Sequence, residues 1–311
     1  MKKQCTEERL HELSLVIPAY NEEAAIGDIV SRAVTTLSRC ADAWEIIVVS
    51  DCSTDNTAIL AAAAGGIVIE HHINKGYGNA LKTGILNARY KTVAIIDADG
   101  SYAPEDIFIL VQQAARFDMI VGQRSGVHFT GGLLKRAGRR LQLFLVEFTT
   151  GTKVPDVNSG LRIFPRDAAL GFFDALCGGF SFTTSITLAM MMCGYTIKFV
   201  PATYTARTGT SHVNYYRDTL RSLQIITHAI LKYNPIKAFL PISFFLLLLL
   251  LILAPLTLTA ALLNHPLLAL GLGLTAVASL MTSLIIFALG LVATTIFVVK
   301  HSVGAPDTHK R

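Results

Sequence analysis

The sequence predicts a doubly wound α/β domain followed by two membrane-spanning helices. Three observations carry this. Short apolar runs alternate with helical patterns through residues 13–121. Polar clusters follow the ends of those runs. Residues 238–299 contain no Asp, Glu, Lys or Arg at all. Strand–helix alternation at this spacing builds a sheet with helices on both faces, with ligands at the carboxyl ends of its strands.

The elements follow in order. Leu13–Ile17 reads as a strand and Glu22–Leu37 as a helix. Trp44–Val49 is a strand and Thr54–Ala64 a helix. Ile67–Glu70 is a strand and Tyr77–Ala88 a helix. Thr92–Ile96 is a strand, Pro104–Ala114 a helix and Met119–Val121 a strand. Nearly all strand residues are apolar, as expected of a parallel sheet covered on both sides. Phe182–Cys193 is a further helix, in which Met190, Met191 and Met192 read as core filler.

Two helices are amphipathic. Leu133–Thr150 carries an apolar stripe of Leu134, Ala137, Leu141, Phe144, Leu145 and Phe148, with Lys135, Arg136, Arg139 and Arg140 crowding its first half. It reads either as a surface helix packed on the core or as an interfacial helix lying on a membrane. Asn214–Tyr233 has a second stripe, of Tyr216, Leu220, Leu223, Ile226, Ile230 and Tyr233, and leads directly into the uncharged region.

Ala238–Leu263 exceeds the ~20 residues needed to cross a bilayer. Asn264-His265-Pro266 is a turn signal, and Leu267–Val299 is long enough for a second span. Lys232 and Lys237 precede the pair, while Lys300, Lys310 and Arg311 follow it. The turn has neither Lys nor Arg, so both ends are expected in the cytosol. The domains read as 1–212 cytosolic, 213–237 juxtamembrane, 238–299 membrane-spanning and 300–311 a cytosolic tail. Gly271, Gly273 and other small residues suit packing against a second copy.

Composition narrows the class. The 311 residues carry 27 Lys and Arg against 22 Asp and Glu, a net charge of +5. That excess suits anionic headgroups or phosphorylated ligands, and no basic run with interleaved aromatics argues for nucleic acid. Cys5, Cys40, Cys52, Cys177 and Cys193 are odd in number and lack CxxC spacing, which fits free thiols in a reducing compartment. The first residues have no apolar signal region, so the first domain is expected in the cytosol.

The chemistry concentrates at Ile95-Ile96-Asp97-Ala98-Asp99-Gly100. Two carboxylates one residue apart repel each other, so a hard cation, Mg²⁺ or Mn²⁺, is their natural partner. Three more blocks end or follow strands: Leu15-Val16-Ile17-Pro18-Ala19-Tyr20-Asn21-Glu22-Glu23, Val48 to Thr57 with Asp51 and Asp55, and Asn74-Lys75-Gly76-Tyr77-Gly78-Asn79-Ala80. The order and spacing of the four blocks resemble the family 2 glycosyltransferases of GT-A fold. Val121-Gly122-Gln123-Arg124, Asn158-Ser159-Gly160-Leu161-Arg162 and Arg207-Thr208-Gly209-Thr210-Ser211-His212 resemble its polyprenol-phosphate branch. That branch includes dolichol-phosphate mannose synthases and bacterial undecaprenyl-phosphate sugar transferases.

The resemblance implies a GT-A-type doubly wound mixed sheet and a set of roles. Pro18, Ala19, Tyr20 and Glu22 would line the nucleotide pocket, and Asp51 would accept a hydrogen bond from the base. Lys75 would lie near that pocket or the diphosphate. Asp97, Ala98 and Asp99 would meet the donor, with Asp97 and Asp99 on the metal. Arg207 and His212 would close over the diphosphate. Arg124 would face the acceptor phosphate, joined by Arg136, Arg139 and Arg140. Asp99, Arg124 and Arg207 would be the catalytic group. Some members carry Gln where Ser101 stands, which leaves a third metal ligand open, and some carry Lys in place of His212.

Blander roles stand beside these. Asp51 and Asp55 would cap the following helix. Gly76 and Gly78 would serve a tight turn. Asn158 and Arg162 would form a fold-stabilising pair, and His71 and His72 would be solvated loop residues.

The implied activity is inverting transfer of a sugar from a nucleotide donor, uridine favoured over guanosine, to polyprenyl phosphate on the cytosolic face of a membrane, most readily a bacterial inner membrane. A phosphate acceptor is already ionised near neutrality and needs no strong base. Were the acceptor another lipid's hydroxyl, Asp156 would be the candidate base. A non-catalytic membrane scaffold is the reading from another class.

Overall fold

The computed structural model describes residues 9–125, 133–179, 181–205 and 215–304, without the side chains of 133–137, 139, 215–219, 222, 233 and 297–304. The chain divides into two compact units, Met1–Ile226 and Thr227–Arg311.

The first unit is built on a seven-stranded sheet. Its strands are β1 (Leu10–Ala19), β2 (Ala41–Ser50), β3 (Ile67–Glu70), β4 (Thr92–Ile95), β5 (Met119–Ser125), β6 (Arg162–Pro165) and β7 (Ile197–Thr203). The helices are α1 (Ile26–Cys40), α2 (Thr57–Ala63), α3 (Tyr77–Asn87), α4 (Asp106–Val111), α5 (Leu133–Thr150), α6 (Arg166–Gly171) and α7 (Phe182–Met192). α8 (Tyr215–Tyr233) runs from this unit into the next.

The strand order is β3-β2-β1-β4-β6-β5-β7. β3, β2, β1 and β4 are mutually parallel, as their apolar runs suggested. β6 is antiparallel to both its neighbours, so the sheet is mixed, the GT-A-like arrangement. Strand order reverses about β1, which puts a crevice at the carboxyl ends of β2, β1 and β4.

Alternation along β1 splits the core. Leu13, Leu15 and Ile17 join Ile26, Ile29, Val30, Ala33 and Leu37 on one face of the sheet. Val16 joins Ala80, Leu81, Ile85, Phe182 and Ile186 on the other. Successive strand residues point to opposite faces, and positions three and four apart share a helix face, so these two sets follow from periodicity. Among the described residues, Cys40, Cys52 and Cys177 are free thiols.

α5 departs from a simple core-packed helix. Gln142, Val146 and Thr149 are its buried positions, while Leu141 is 49%, Phe144 61% and Phe148 40% exposed. Polar contacts explain the inversion. The Gln142 amide donates to Asn158 Oδ1 at 3.3 Å, and Asn158 in turn donates to Gln142 Oε1 at 3.0 Å. Thr184 Oγ1 of α7 donates to Asn158 Oδ1 at 2.7 Å. A polar seam therefore docks this helix and leaves Leu141, Phe144 and Phe148 outward.

The second unit contains α9 (Ile236–Leu262) and α10 (Pro266–Gly304). Ile236–Leu262 and Pro266–Ile296 are each long and apolar enough to cross a membrane. The two helices share a buried contact in which Ser243 and Ser283 exchange hydrogen bonds, Oγ to Oγ at 2.9 Å, each hydroxyl also reaching the other's carbonyl. Phe239 fills the space beside Gly290, where a Cβ would meet the ring.

Candidate active site

Three loops meet at the carboxyl ends of β1, β2 and β4. The loop after β1 is stapled to the loop after β2 by reciprocal bonds. Asn21 N–H donates to Ser53 Oγ at 3.2 Å, and Thr54 N–H donates back to Asn21 Oδ1 at 2.8 Å. Glu22 N–H donates to Thr57 Oγ1 at 2.9 Å, and Glu23 N–H to Asp55 Oδ2 at 3.2 Å. Asp55 also accepts from Thr57 N–H at 3.0 Å, so it serves both the start of α2 and the staple. Asn21 and Cys52 adopt positive φ angles of 55° and 64° at these turns. Pro18 and Ala19 are buried in β1, and Tyr20 and Glu22 are half-buried beyond its end.

Asp51 is buried at the end of β2. Its Oδ1 takes His71 Nδ1 at 2.6 Å and Lys75 N–H at 2.9 Å, and its Oδ2 takes Gly76 N–H at 2.7 Å. A carboxylate offers about four acceptor positions, so these three leave room for one more donor. Asp51 thus organises the β3–α3 loop rather than capping α2. Lys75 reaches Asp51 through its backbone, and its side chain is exposed.

His71 is the clearest correction to the sequence reading. It is buried, not solvated, and its Nε2 lies 2.9 Å from Thr83 Oγ1 of α3. The ring bridges Asp51 and α3. His72 is exposed as expected. Gly76, with φ of 90°, makes the turn into α3. Gly78 does something else. A Cβ there would meet the Cys177 carbonyl oxygen, and would lie 2.7 Å from Gly178 C and 2.8 Å from Gly179 O. The backbone of residues 177–179 therefore touches the first turn of α3 at this point.

Asp97 is half-buried and Asp99 buried, just past β4. Asp97 Oδ1 accepts the Tyr77 hydroxyl at 2.7 Å. Asp99 Oδ1 accepts Ser101 N–H at 3.0 Å. Burial, and then the neighbouring Asp97 charge, push the Tyr77 phenol well above its ordinary range, so it remains a donor. Gly160 packs against the Asp97 carboxylate so closely that a Cβ would overlap it.

Arg162 is wholly buried. Its guanidinium donates to the carbonyls of Ser159, Thr183 and Val157 and to Thr187 Oγ1. It is not paired with Asn158. Burial pulls its pKa down to about 10, against the opposing pull of nearby Tyr77, Asp156, Tyr102 and Asp97.

Arg124 and Asp156 form a bidentate pair, with Nε to Oδ2 and Nη2 to Oδ1 both at 2.8 Å. Asp156 also accepts Arg124 N–H at 3.2 Å and Asn158 N–H at 3.1 Å. All of its acceptor positions are spent, which disqualifies it as a ready base. Arg124 spends its fork on Asp156 and lies over the Tyr204 ring at 5.5 Å. Arg140 is exposed on α5; the side chains of Arg136 and Arg139, and all of Arg207 and His212, lie outside the described residues.

Asp97 and Asp99 suit a magnesium-type ion. They are hard oxygen donors, and no cluster of three or more His, Cys, Asp or Glu gathers among the described residues. Such ions commonly take one or two carboxylates and complete their shell with substrate phosphates and water. Two residues beyond Asp99, the buried Ser101 Oγ has no hydrogen-bond partner among the described residues, an added oxygen next to the pair.

Residues 14–172 match the model of the family described as glycosyl transferase family 2. An uncharacterised protein of Methanocaldococcus jannaschii is 34% identical over 180 residues, 54% of this chain and 72% of that protein. The dodecaprenyl-phosphate galacturonate synthase of Rhizobium johnstonii is 32% identical over 161 residues, 49% of this chain and 47% of its own. The undecaprenyl-phosphate 4-deoxy-4-formamido-L-arabinose transferase of Pseudomonas fluorescens is 32% identical over 188 residues, 55% and 54% of the two chains. The match thus spans about half the length of each of these two transferases. In fold, the chain is similar to glucosyl-3-phosphoglycerate synthase from Mycobacterium tuberculosis, solved with Mn²⁺, UDP-glucose and phosphoglyceric acid. The TM-score is 0.59 at 20% identity, over 70% of this chain and 79% of that one.

Proposed function

Because the chain belongs to glycosyl transferase family 2, we propose that it transfers a sugar from a nucleoside-diphosphate donor to a polyprenyl phosphate at a membrane surface. The observation that carries the acceptor is the outward stripe of Leu141, Phe144 and Phe148 on the same helix as Arg140. Phe144 and Phe148 stack at 6.5 Å, forming a compact apolar face. An apolar face beside a basic turn fits the boundary between acyl chains and headgroups, where a lipid phosphate lies. Two helices long enough to cross a membrane, and relatives named for polyprenyl-phosphate substrates, support the same reading.

Pro18, Ala19, Tyr20, Glu22, Asp51 and Lys75 line the nucleotide side, with UDP favoured over GDP. Arg207 and His212 cover the diphosphate. Asp97 and Asp99 hold Mg²⁺ or Mn²⁺, which when bound offsets the charge that develops on the departing nucleotide. Arg140, with Arg136 and Arg139, receives the acceptor phosphate. Arg124 contributes by clamping Asp156 and the loop that leads to Gly160.

A lipid phosphate attacks the anomeric carbon directly, with inversion, and catalysis rests on positioning and charge. The saturation of Asp156 favours this acceptor over a lipid hydroxyl, which would need a base. The catalytic region, 1–212, works on the cytoplasmic face, held by residues 238–299.

The test is a panel of radiolabelled nucleotide sugars offered with Mg²⁺ or Mn²⁺ to polyprenyl phosphate, diacylglycerol and 3-phosphoglycerate in parallel. The proposal expects an acid-labile labelled lipid from the first acceptor. Label carried by diacylglycerol or phosphoglycerate instead would overturn it.

A further inference from the structure

The β3–α3 loop connects the two carboxylates that the proposed donor site depends on. β2 and β4 both neighbour β1. Adjacent strands lie ~4.8 Å apart, so the ends of β2 and β4 stand about 10 Å apart across β1. Asp51 follows β2 and Asp97 follows β4. A single segment, His71 to Tyr77, is bonded to both.

Its attachment to Asp51 is threefold, through the His71 ring and the N–H groups of Lys75 and Gly76. The next residue, Tyr77, donates its hydroxyl to Asp97 Oδ1. No residue intervenes between the last grip on Asp51 and the grip on Asp97, so the two carboxylates are linked through adjacent residues. Its far side is fixed as well. Lys82 Nζ of α3 donates to the carbonyls of Phe173 at 2.8 Å and Leu176 at 2.7 Å. Asn79 N–H donates to Gly178 O at 3.0 Å. Gly160 closes on the Asp97 carboxylate from another direction.

We infer that residues 71–77 form a strap that sets Asp97 relative to Asp51, and that Tyr77 is the positioning residue of the donor site. Its hydroxyl selects the orientation in which the Asp97 carboxylate meets the metal–diphosphate unit. His71 holds the other end of the strap through Asp51. This deepens the proposed function and rests on it.

The test uses the full chain in detergent with UDP as the probe, measured by calorimetry with and without Mn²⁺, alongside the melting temperature. Tyr77→Phe keeps the ring and removes only the hydroxyl. It should weaken Mn²⁺-dependent UDP binding about ten-fold, the order set by one hydrogen bond to a charged group. UDP binding without metal should be kept, and the chain should stay folded at the temperature of the measurement. In an Asp97→Asn background the same change should have little further effect. His71→Gln should weaken UDP binding with and without metal alike, because it acts through Asp51. Mn²⁺-dependent binding by Tyr77→Phe at the wild-type level would overturn the inference while leaving the donor reading intact. So would equal losses from Tyr77→Phe in the wild-type and Asp97→Asn backgrounds, or a Tyr77→Phe chain whose loss follows only from a lowered melting temperature. A wild-type chain that binds no UDP with Mn²⁺ would sink the donor reading, and the inference with it.

Discussion

Gly160 lies against the Asp97 carboxylate with no room for a methyl group between them. The glycine comes from the turn before β6 and the aspartate from the end of β4, two antiparallel neighbours. The absence of a side chain at one residue thus fixes where the acid at the other can sit.

Gly160→Ala should therefore displace Asp97 while leaving most of the fold in place. We expect kcat/KM to fall at least ~100-fold, because small misplacements of a positioned group are that costly. Steady-state kinetics with circular dichroism checks this. Near wild-type turnover in a folded variant would show that Asp97 need not sit where it does.

Gly78→Ala addresses stability rather than chemistry. Its Cβ would run into the backbone of residues 177–179, which cannot yield as a flexible side chain would. Overpacking of this kind costs about 1–3 kcal/mol. Urea denaturation of the membrane-extracted chain should show the loss, and an unchanged midpoint would mean that residues 177–179 separate easily from α3.

Arg124 and Asp156 test the value of a buried pair. Asp156→Ala strands the Arg124 guanidinium and should cost about 3–5 kcal/mol. Arg124→Lys keeps the charge but loses the fork, and should fall between that variant and the wild type. If both variants unfold like the parent, the pair is not what holds the loop at residues 156–160.

The outward face of α5 can be tested apart from folding, since Phe144 and Phe148 are exposed. Phe144→Ser with Phe148→Ser should keep the melting temperature and raise the apparent KM for polyprenyl phosphate several-fold, with the KM for nucleotide sugar unchanged. Equal changes in both would detach this face from the acceptor.

Much of this was legible in the sequence. Apolar runs marked β1 to β5, and α5 lies at Leu133–Thr150 as its periodicity indicated. β6 and β7 escaped notice for different reasons. Arg162-Ile163-Phe164-Pro165 is too short to show alternation, and its arginine looks like a surface residue. Ile197–Thr203 contains Pro201 and Lys198, which mask an edge strand. In the site, the Asp97–Asp99 pair was legible through the motif blocks around it, since an acid pair alone is common in loops. His71 and Tyr77 did not. Their roles depend on partners 20 residues away in sequence, Asp51 and Asp97, which only the fold brings within reach. The hint that was available is position: His71 directly follows β3, and Tyr77 stands between two glycines at the start of α3.

The central claim is that Asp97 and Asp99 support sugar transfer to a lipid phosphate. The most direct measurement follows labelled sugar from its nucleotide to polyprenyl phosphate with the wild-type chain, Asp99→Asn, and the wild type stripped of metal by a chelator. The account predicts an acid-labile glycolipid from the wild type alone, restored after chelation by Mg²⁺ or Mn²⁺. Unchanged turnover by Asp99→Asn would contradict it.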